Sequence, residues 1–214
     1  MLAFGARRAL SEAAYLLWRN MLKTAFLTFF VLCISIVGGG ASVWYTLKAN
    51  ERGGAVTIGE WTAFPLIGTP EADPYSKARV AREGLLALGR AEGLSFSAQR
   101  DSAGQGLRRE CSYRIEGPVP SARFWTLYAA DSAGVVIRAG ERRSAALHSN
   151  QIVRLADNSV SIAAGAHPAP GNWLALSGAG PMTLVLTFFD TPIAAATGAS
   201  DIVLPSIVEA GCDE

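Results

Sequence analysis

Few residues in this chain are of the types that carry out chemistry, and their spacing argues against most reactions. Its two histidines are His148 and His167, and neither has a second histidine or a carboxylate at a metal-ligand offset. The metal-binding pattern of two histidines one residue apart followed by a glutamate is absent, so no metal and no cofactor is expected. No Gly-x-Ser-x-Gly elbow occurs, and Gly171-Asn172-Trp173 and Gly178 to Gly180 lack the strand, glycine loop and helix order of a phosphate cradle. The remaining polar and aromatic candidates are Asp73, Tyr75 and Arg79 at a predicted helix start, Arg123 and Trp125 opening a predicted strand, Ser144 with His148, and Asn172 with Trp173. Each has an ordinary role as a cap, a surface charge, a core aromatic or a loop residue. Brought together, they would line an aromatic-walled pocket with an arginine or two, suited to an anionic or sugar-like ligand.

The three cysteines divide unevenly. Cys33 lies within an apolar run and acts there as a small apolar residue, whereas Cys111 and Cys212 lie outside it. In an oxidising compartment such a pair forms a disulfide more often than not. Two free thiols remain an alternative. A nucleophilic Cys111 is the weakest reading, because no flanking residue marks it as activated.

The apolar run sets where these residues sit. Residues 24–47 contain no Asp, Glu, Lys, Arg or His. At 1.5 Å per residue a helix of this length is about 36 Å long, enough to cross a hydrocarbon core of about 30 Å. Residues 1–23 hold four basic groups (Arg7, Arg8, Arg19, Lys23) against Glu12, while residues 48–214 hold fifteen basic and seventeen acidic groups. The halves are +3 and −2. This asymmetry favours the N-terminus inside, and the absence of a basic field over the larger part argues against a nucleic-acid partner, so none is expected. Trp44 and Tyr45 suit the outer interface. The competing reading is a cleaved signal peptide with Gly39 and Ala41 before the cut, against which the long lead and the continuation through Val43 and Trp44 argue. Ser35 with Gly39, and Gly38 with Ser42, have the spacing that lets membrane helices approach, so this face could pair two copies. Leu10, Ala13, Ala14, Leu17 and Met21 could continue the helix as a juxtamembrane amphipathic face.

Four segments follow: a cytosolic basic lead (1–23), a transmembrane signal anchor (24–47), a connector with one incoming strand around Val56 to Trp61 (48–72), and a periplasmic β-sandwich domain (73–214). Asp73 and Pro74 suit a helix start, and Tyr75, Ala78, Ala81, Leu85 and Leu88 recur at helical spacing up to Gly89. Beyond it the period becomes two. Alternation at 94–98, 111–115, 124–128, 135–137, 152–155, 160–163, 173–176 and 182–189 predicts eight short strands and a mainly β, jelly-roll-like sandwich with a peripheral helix. Asp101-Ser102-Ala103-Gly104 and Asp131-Ser132-Ala133-Gly134 read as two tight reversals, with too few oxygens for calcium.

Read in order, Asp73-Pro74-Tyr75 with Ala78 to Ala81, Gly93-Leu94-Ser95-Phe96, Asp101 with Gly104, Cys111-x-Tyr113-x-Ile115-x-Gly117, Ala122 to Leu127, Gly171-Asn172-Trp173-Leu174 and Phe189-Asp190-x-Pro192 resemble the bacterial family named domain of unknown function 1214. The resemblance spans residues 60 to 195. It implies a jelly-roll β-sandwich of the kind common in exported or membrane-anchored bacterial proteins, and it brings no activity, cofactor or catalytic residue with it. The expected protein is therefore a single-pass inner-membrane protein with a periplasmic binding or assembly module for an envelope protein, lipid or glycan. The alternative is a tethered enzyme acting on an envelope glycan or lipid. A reporter that works only in the periplasm, fused after Glu214, is expected to be active, and an inactive fusion would overturn the orientation.

Overall fold

The structure, a computed structural model, describes residues 2–49, 55–83, 88–89, 92–140, 143–194 and 202–212. The chain forms two compact units, Met1–Arg52 and Gly53–Glu214.

The first unit is one helix, α1 (Leu2–Ala49), in which the basic lead and the apolar run are continuous. Its stretch Asn20–Tyr45 has a mean hydropathy of 2.1 and is long and apolar enough to cross a membrane or to serve as a signal sequence. The hydroxyls of Thr24 and Thr28 donate to the carbonyls of Asn20 and Thr24 at 2.9 and 2.8 Å. This internal satisfaction is what a hydroxyl needs where no water is available. Gly38 and Gly39 have nothing packed against them.

The second unit is mainly β, as the alternation requires. Its elements are β1 (Val56–Ile58), β2 (Trp61–Ala63), α2 (Pro74–Glu83), β3 (Gly93–Ala98), β4 (Cys111–Gly117), β5 (Phe124–Ala130), β6 (Ala146–His148), β7 (Val160–Gly165), β8 (Asn172–Ala175), β9 (Thr183–Phe189), a 3-10 turn at Pro192–Ala194, and β10 (Ser206–Cys212). The strands lie in a six-stranded sheet, β1-β2-β3-β9-β5-β6, and a four-stranded sheet, β10-β4-β7-β8. All pairs are antiparallel except β7 with β8.

Alternation and register together build the core. In the six-stranded sheet Leu94, Phe188 and Trp125 form one row, Phe96, Leu186 and Leu127 the next, and Ala98, Leu184 and Ala129 a third. The other sheet contributes Cys111, Tyr113, Ile115, Ile162, Ala164, Leu174 and Ile207 to the same cluster. Each large apolar side chain buried here stabilises the fold by about 1.5–3 kcal/mol. The two Asp-x-x-Gly reversals are built alike. Asp101 Oδ1 accepts from the N–H groups of Ala103 and Gln105, and Asp131 Oδ1 from those of Ala133 and Val135. Gly104 and Gly134 take the left-handed conformation that closes each turn, with φ of 83° and 78°.

Four expectations are corrected. Residues 56–63 form a hairpin rather than one strand, because Gly59 at φ 57° turns the chain between β1 and β2. Residues 135–137 and 152–155 make only isolated bridges, Ala130 to Val136 and Arg154 to Val160. Three apolar residues after a tight turn do not sustain a ladder. β6 and β10 form where little alternation marks them. In α2, Asp73 caps the helix by accepting from the Ser76 N–H at 3.1 Å, but Ala78 and Ala81 are exposed while Ser76 and Val80 are half-buried. Alanines bury too little area to turn a helix against the larger Val80.

Cys111 and Cys212 are bonded to each other as directly opposed residues of β4 and β10. A chain carrying Cys111→Ala and Cys212→Ala is expected to unfold at lower denaturant concentration, with a loss of about 2–4 kcal/mol and an unchanged far-ultraviolet spectrum. An unchanged midpoint would show that the ladder alone holds β10.

Candidate functional site

The outward positions of the six-stranded sheet carry a pattern of their own. Ser95, Thr187, Thr126 and His148 lie in one continuous row across β3, β9, β5 and β6. The hydroxyls of Ser95 and Thr187 are hydrogen-bonded at 3.0 Å. The next row holds Phe189 opposite Phe124, with ring centroids 5.9 Å apart, and Phe124 also stacks on the His148 imidazole at 6.1 Å and 27°. On the other side of the hydroxyl row lie Ser97, Val185 and Tyr128. Burial pushes the Tyr128 phenol above its ordinary pKa. Thr187, on the central strand β9, is only 7% exposed. The result is a row of hydroxyls and one imidazole between half-buried aromatic rings, in which Ser95, Thr126 and His148 flank the buried Thr187. Groups of these types can hydrogen-bond a polyol and pack against its C–H groups.

Arg123 and Asp190 border the aromatic row. Their charged groups are 3.5 Å apart and both are exposed, so the pair is weak in energy and free to rearrange. The Arg123 N–H also donates to the Asp190 carbonyl at 3.3 Å. Arg123 and His148 therefore reach the same end of the same sheet through Phe124, although 24 residues separate them in sequence.

The other sequence candidates go elsewhere. Trp125 is 1% exposed and faces the core, where its indole N–H has no hydrogen-bond partner. Asn172 is 8% exposed. Its Oδ1 accepts from the Val153 N–H, and its Nδ2 donates to the carbonyls of Val153 and Ser161, all at 2.8–3.0 Å. Its amide is a clamp on the 149–159 loop. Trp173 is half-buried on the outer side of the four-stranded sheet, donates to the Gly165 carbonyl at 3.1 Å, and lies under the Arg143 guanidinium at 4.6 Å. Ser144 donates to the Ala146 carbonyl, and Asp73 caps α2. The side chains of Tyr75 and Arg79 lie outside the described residues. Ser95, Phe124, Thr126, Tyr128, Thr187 and Phe189 were not among the sequence candidates. Their outward parity within the predicted strands was the signal available.

Among the described residues one group of metal-ligating types comes together, Cys111, Glu209 and Cys212, with ligand atoms within 4.8 Å of one another. With the sulfurs bonded it offers no thiolate.

Comparison with known proteins agrees with the sequence resemblance. The model of the family described as "Protein of unknown function (DUF1214)" matches residues 92–193, which run from β3 into the 3-10 turn. No functionally curated protein matches the chain. The fold is similar to that of the VPA0106 protein from Vibrio parahaemolyticus, at 16% identity and a TM-score of 0.52, over 65% of this chain and 36% of that one. An uncharacterised protein from Burkholderia cenocepacia aligns over 82% of this chain and 51% of its own, at 17% identity and a TM-score of 0.39. This chain thus spans about a third and a half of the length of these two proteins.

A charged side chain ties the two sheets together away from this row. Glu110 accepts from the Gly180 N–H at 2.9 Å and pairs with Arg108, joining the start of β4 to the turn before β9. The Gly180 N–H, its own backbone and Arg108 hold the Glu110 carboxyl at about 2, below its ordinary value of 4.5. A carboxylate with a lowered folded pKa stabilises the fold above its unfolded value and loses that contribution as pH falls through the folded one. Glu110→Gln is therefore expected to lower the denaturant midpoint at neutral pH, with the difference from wild type shrinking between pH 4.5 and about 2. A difference independent of pH would assign the effect to packing.

Proposed function

We propose that this protein is a membrane-anchored cell-envelope binding module whose ligand face is the outer side of the six-stranded sheet. The observation that carries this reading is the four-strand row Ser95, Thr187, Thr126 and His148 beside the stacked Phe124 and Phe189. Hydroxyls in a fixed row beside half-buried aromatic rings suit the alternating O–H and C–H surface of a sugar, so the ligand class in this reading is an envelope glycan. Rigid strands position these groups before the ligand arrives, which limits the ordering cost of binding.

In this reading Asn20–Tyr45 is a retained anchor in the inner membrane, crossing once from a basic cytosolic lead, with the β unit in the periplasm. The charge distribution of +3 and −2 and the apolar length support this arrangement. Contact between two copies through Ser35, Gly38, Gly39 and Ser42 belongs to the same proposal. An enzyme on the same glycan draws less support. Glycoside hydrolysis takes a pair of carboxyl groups flanking the scissile bond, whereas the row itself carries hydroxyls and one imidazole.

The test uses the full chain in detergent micelles, titrated with soluble peptidoglycan fragments and lipopolysaccharide core oligosaccharides. One of these is expected to bind. Phe124→Ala and Thr126→Val are expected to weaken that binding by about tenfold or more, as losses of an aromatic anchor and a hydrogen bond usually do. Wild-type affinity in both variants would reject this face.

A further inference from the structure

The C-terminal strand contains an irregularity that alternation of a regular strand does not explain. In β10, Glu209 opposes Tyr113 and Cys212 opposes Cys111, with a register shift between Glu209 and Gly211. Residues three apart in a regular strand point to opposite faces. Here the extra residue, Ala210, restores the same parity to Glu209 and Cys212, and Gly211 at φ 140° supplies the backbone conformation. Because Tyr113 and Cys111 both face inward on β4, the bulge aims the Glu209 carboxylate toward the side that holds both sulfurs. The three ligand atoms lie within 4.8 Å of one another. Ile207, two residues before Glu209, takes the same inward side and is fully buried. The exposed Glu209 carboxylate thus stands beyond Ile207 on the inward side, at the solvent-facing rim where both sulfurs lie.

We propose that Cys111, Cys212 and Glu209 form a redox-gated site for a soft divalent cation such as zinc. Oxidised, the pair is the clamp described above. Reduced, it supplies two thiolates, and Glu209 supplies a carboxylate oxygen. This is a three-ligand set with a fourth position left to water, a composition that zinc accepts at about 2.3 Å from sulfur and 2.0–2.2 Å from oxygen. β10 is an edge strand and Cys212 is exposed, so a small dithiol can reach the bond from solvent. In that exchange the S–S bond breaks, each sulfur gains one electron and one proton, and the reductant closes to its own disulfide. Metal binding then displaces the two thiol protons. The end of β10 stays fixed in either state, by the covalent bond or by the ion. The Glu209 to Tyr113 ladder, the Trp61 indole donating to the Pro205 carbonyl at 2.7 Å and the Ser102 N–H donating to the Ile207 carbonyl at 2.8 Å hold the rest.

The experiment uses the full chain in micelles with Cys33→Ser to remove the third thiol, reduced with a phosphine and titrated with Co2+ followed by Zn2+. The reduced protein is expected to take up one equivalent of Co2+ with a thiolate-to-cobalt charge-transfer band, to release two protons, and to lose the band to Zn2+. The oxidised protein is expected to show none of these. Glu209→Gln, which leaves the bridge intact, is expected to keep the band but weaken binding by about tenfold or more. Two free thiols without a band in a reduced protein of unchanged far-ultraviolet spectrum would overturn the site. Unchanged affinity in Glu209→Gln would reduce Glu209 to a charge that protects the sheet edge.

Discussion

The parity of β9 is the constraint on which the second unit depends. β9 lies between β3 and β5 and pairs with both along its length, and its inward residues Leu184, Leu186 and Phe188 centre all three core rows of the six-stranded sheet. A one-residue slip would turn Val185, Thr187 and Phe189 toward the core and Leu184, Leu186 and Phe188 to the outer face. The exchange would put the Thr187 hydroxyl in the place of Leu186 in the middle core row, and an unpaired hydroxyl in an apolar interior costs about 1–3 kcal/mol, against a total stability of about 5–15 kcal/mol for a domain. That comparison fixes the register. The same parity places Thr187 and Phe189 on the outer face, so core and candidate ligand face are set by one decision.

The second constraint is closure at the C-terminus. β10 contributes Ile207 to the core, yet most of its later residues are exposed. Burial alone therefore holds it weakly. Its ties are polar and covalent: the ladder to β4, the Ser102 contacts, the Trp61 indole on Pro205 and the Cys111 to Cys212 bond. These connect the β1-β2 hairpin in one sheet to the edge of the other, which explains why a strand with a single fully buried side chain is ordered at all.

Much of this was legible in the sequence. β3, β4, β5, β7, β8 and β9 follow from alternation, the two reversals from Asp-x-x-Gly, and the helix start at Asp73 from its capping chemistry. β1, β2 and β6 have three residues each, too few for a period of two to show. β10 is hidden because its bulge breaks the period and its outer half is polar. The outer face was not legible for another reason. Ser95, Thr126, His148 and Thr187 come from four strands, and only the register between distant segments places them in a row. Asn172 and Trp125 were misleading for the converse reason. An amide and an indole are equally suited to a ligand and to the interior, and burial decides which.

The central claim is that the hydroxyl and aromatic face of the six-stranded sheet meets the glycan. Hydroxyl-radical footprinting of the full chain, with and without the oligosaccharide that binds it, tests this at the level of side chains. The account predicts that oxidation of Phe124, Phe189, His148 and Tyr128 falls when the sugar is present, while Trp173 on the other sheet is unaffected. Protection of Trp173 with no change at Phe124 and Phe189 would contradict it.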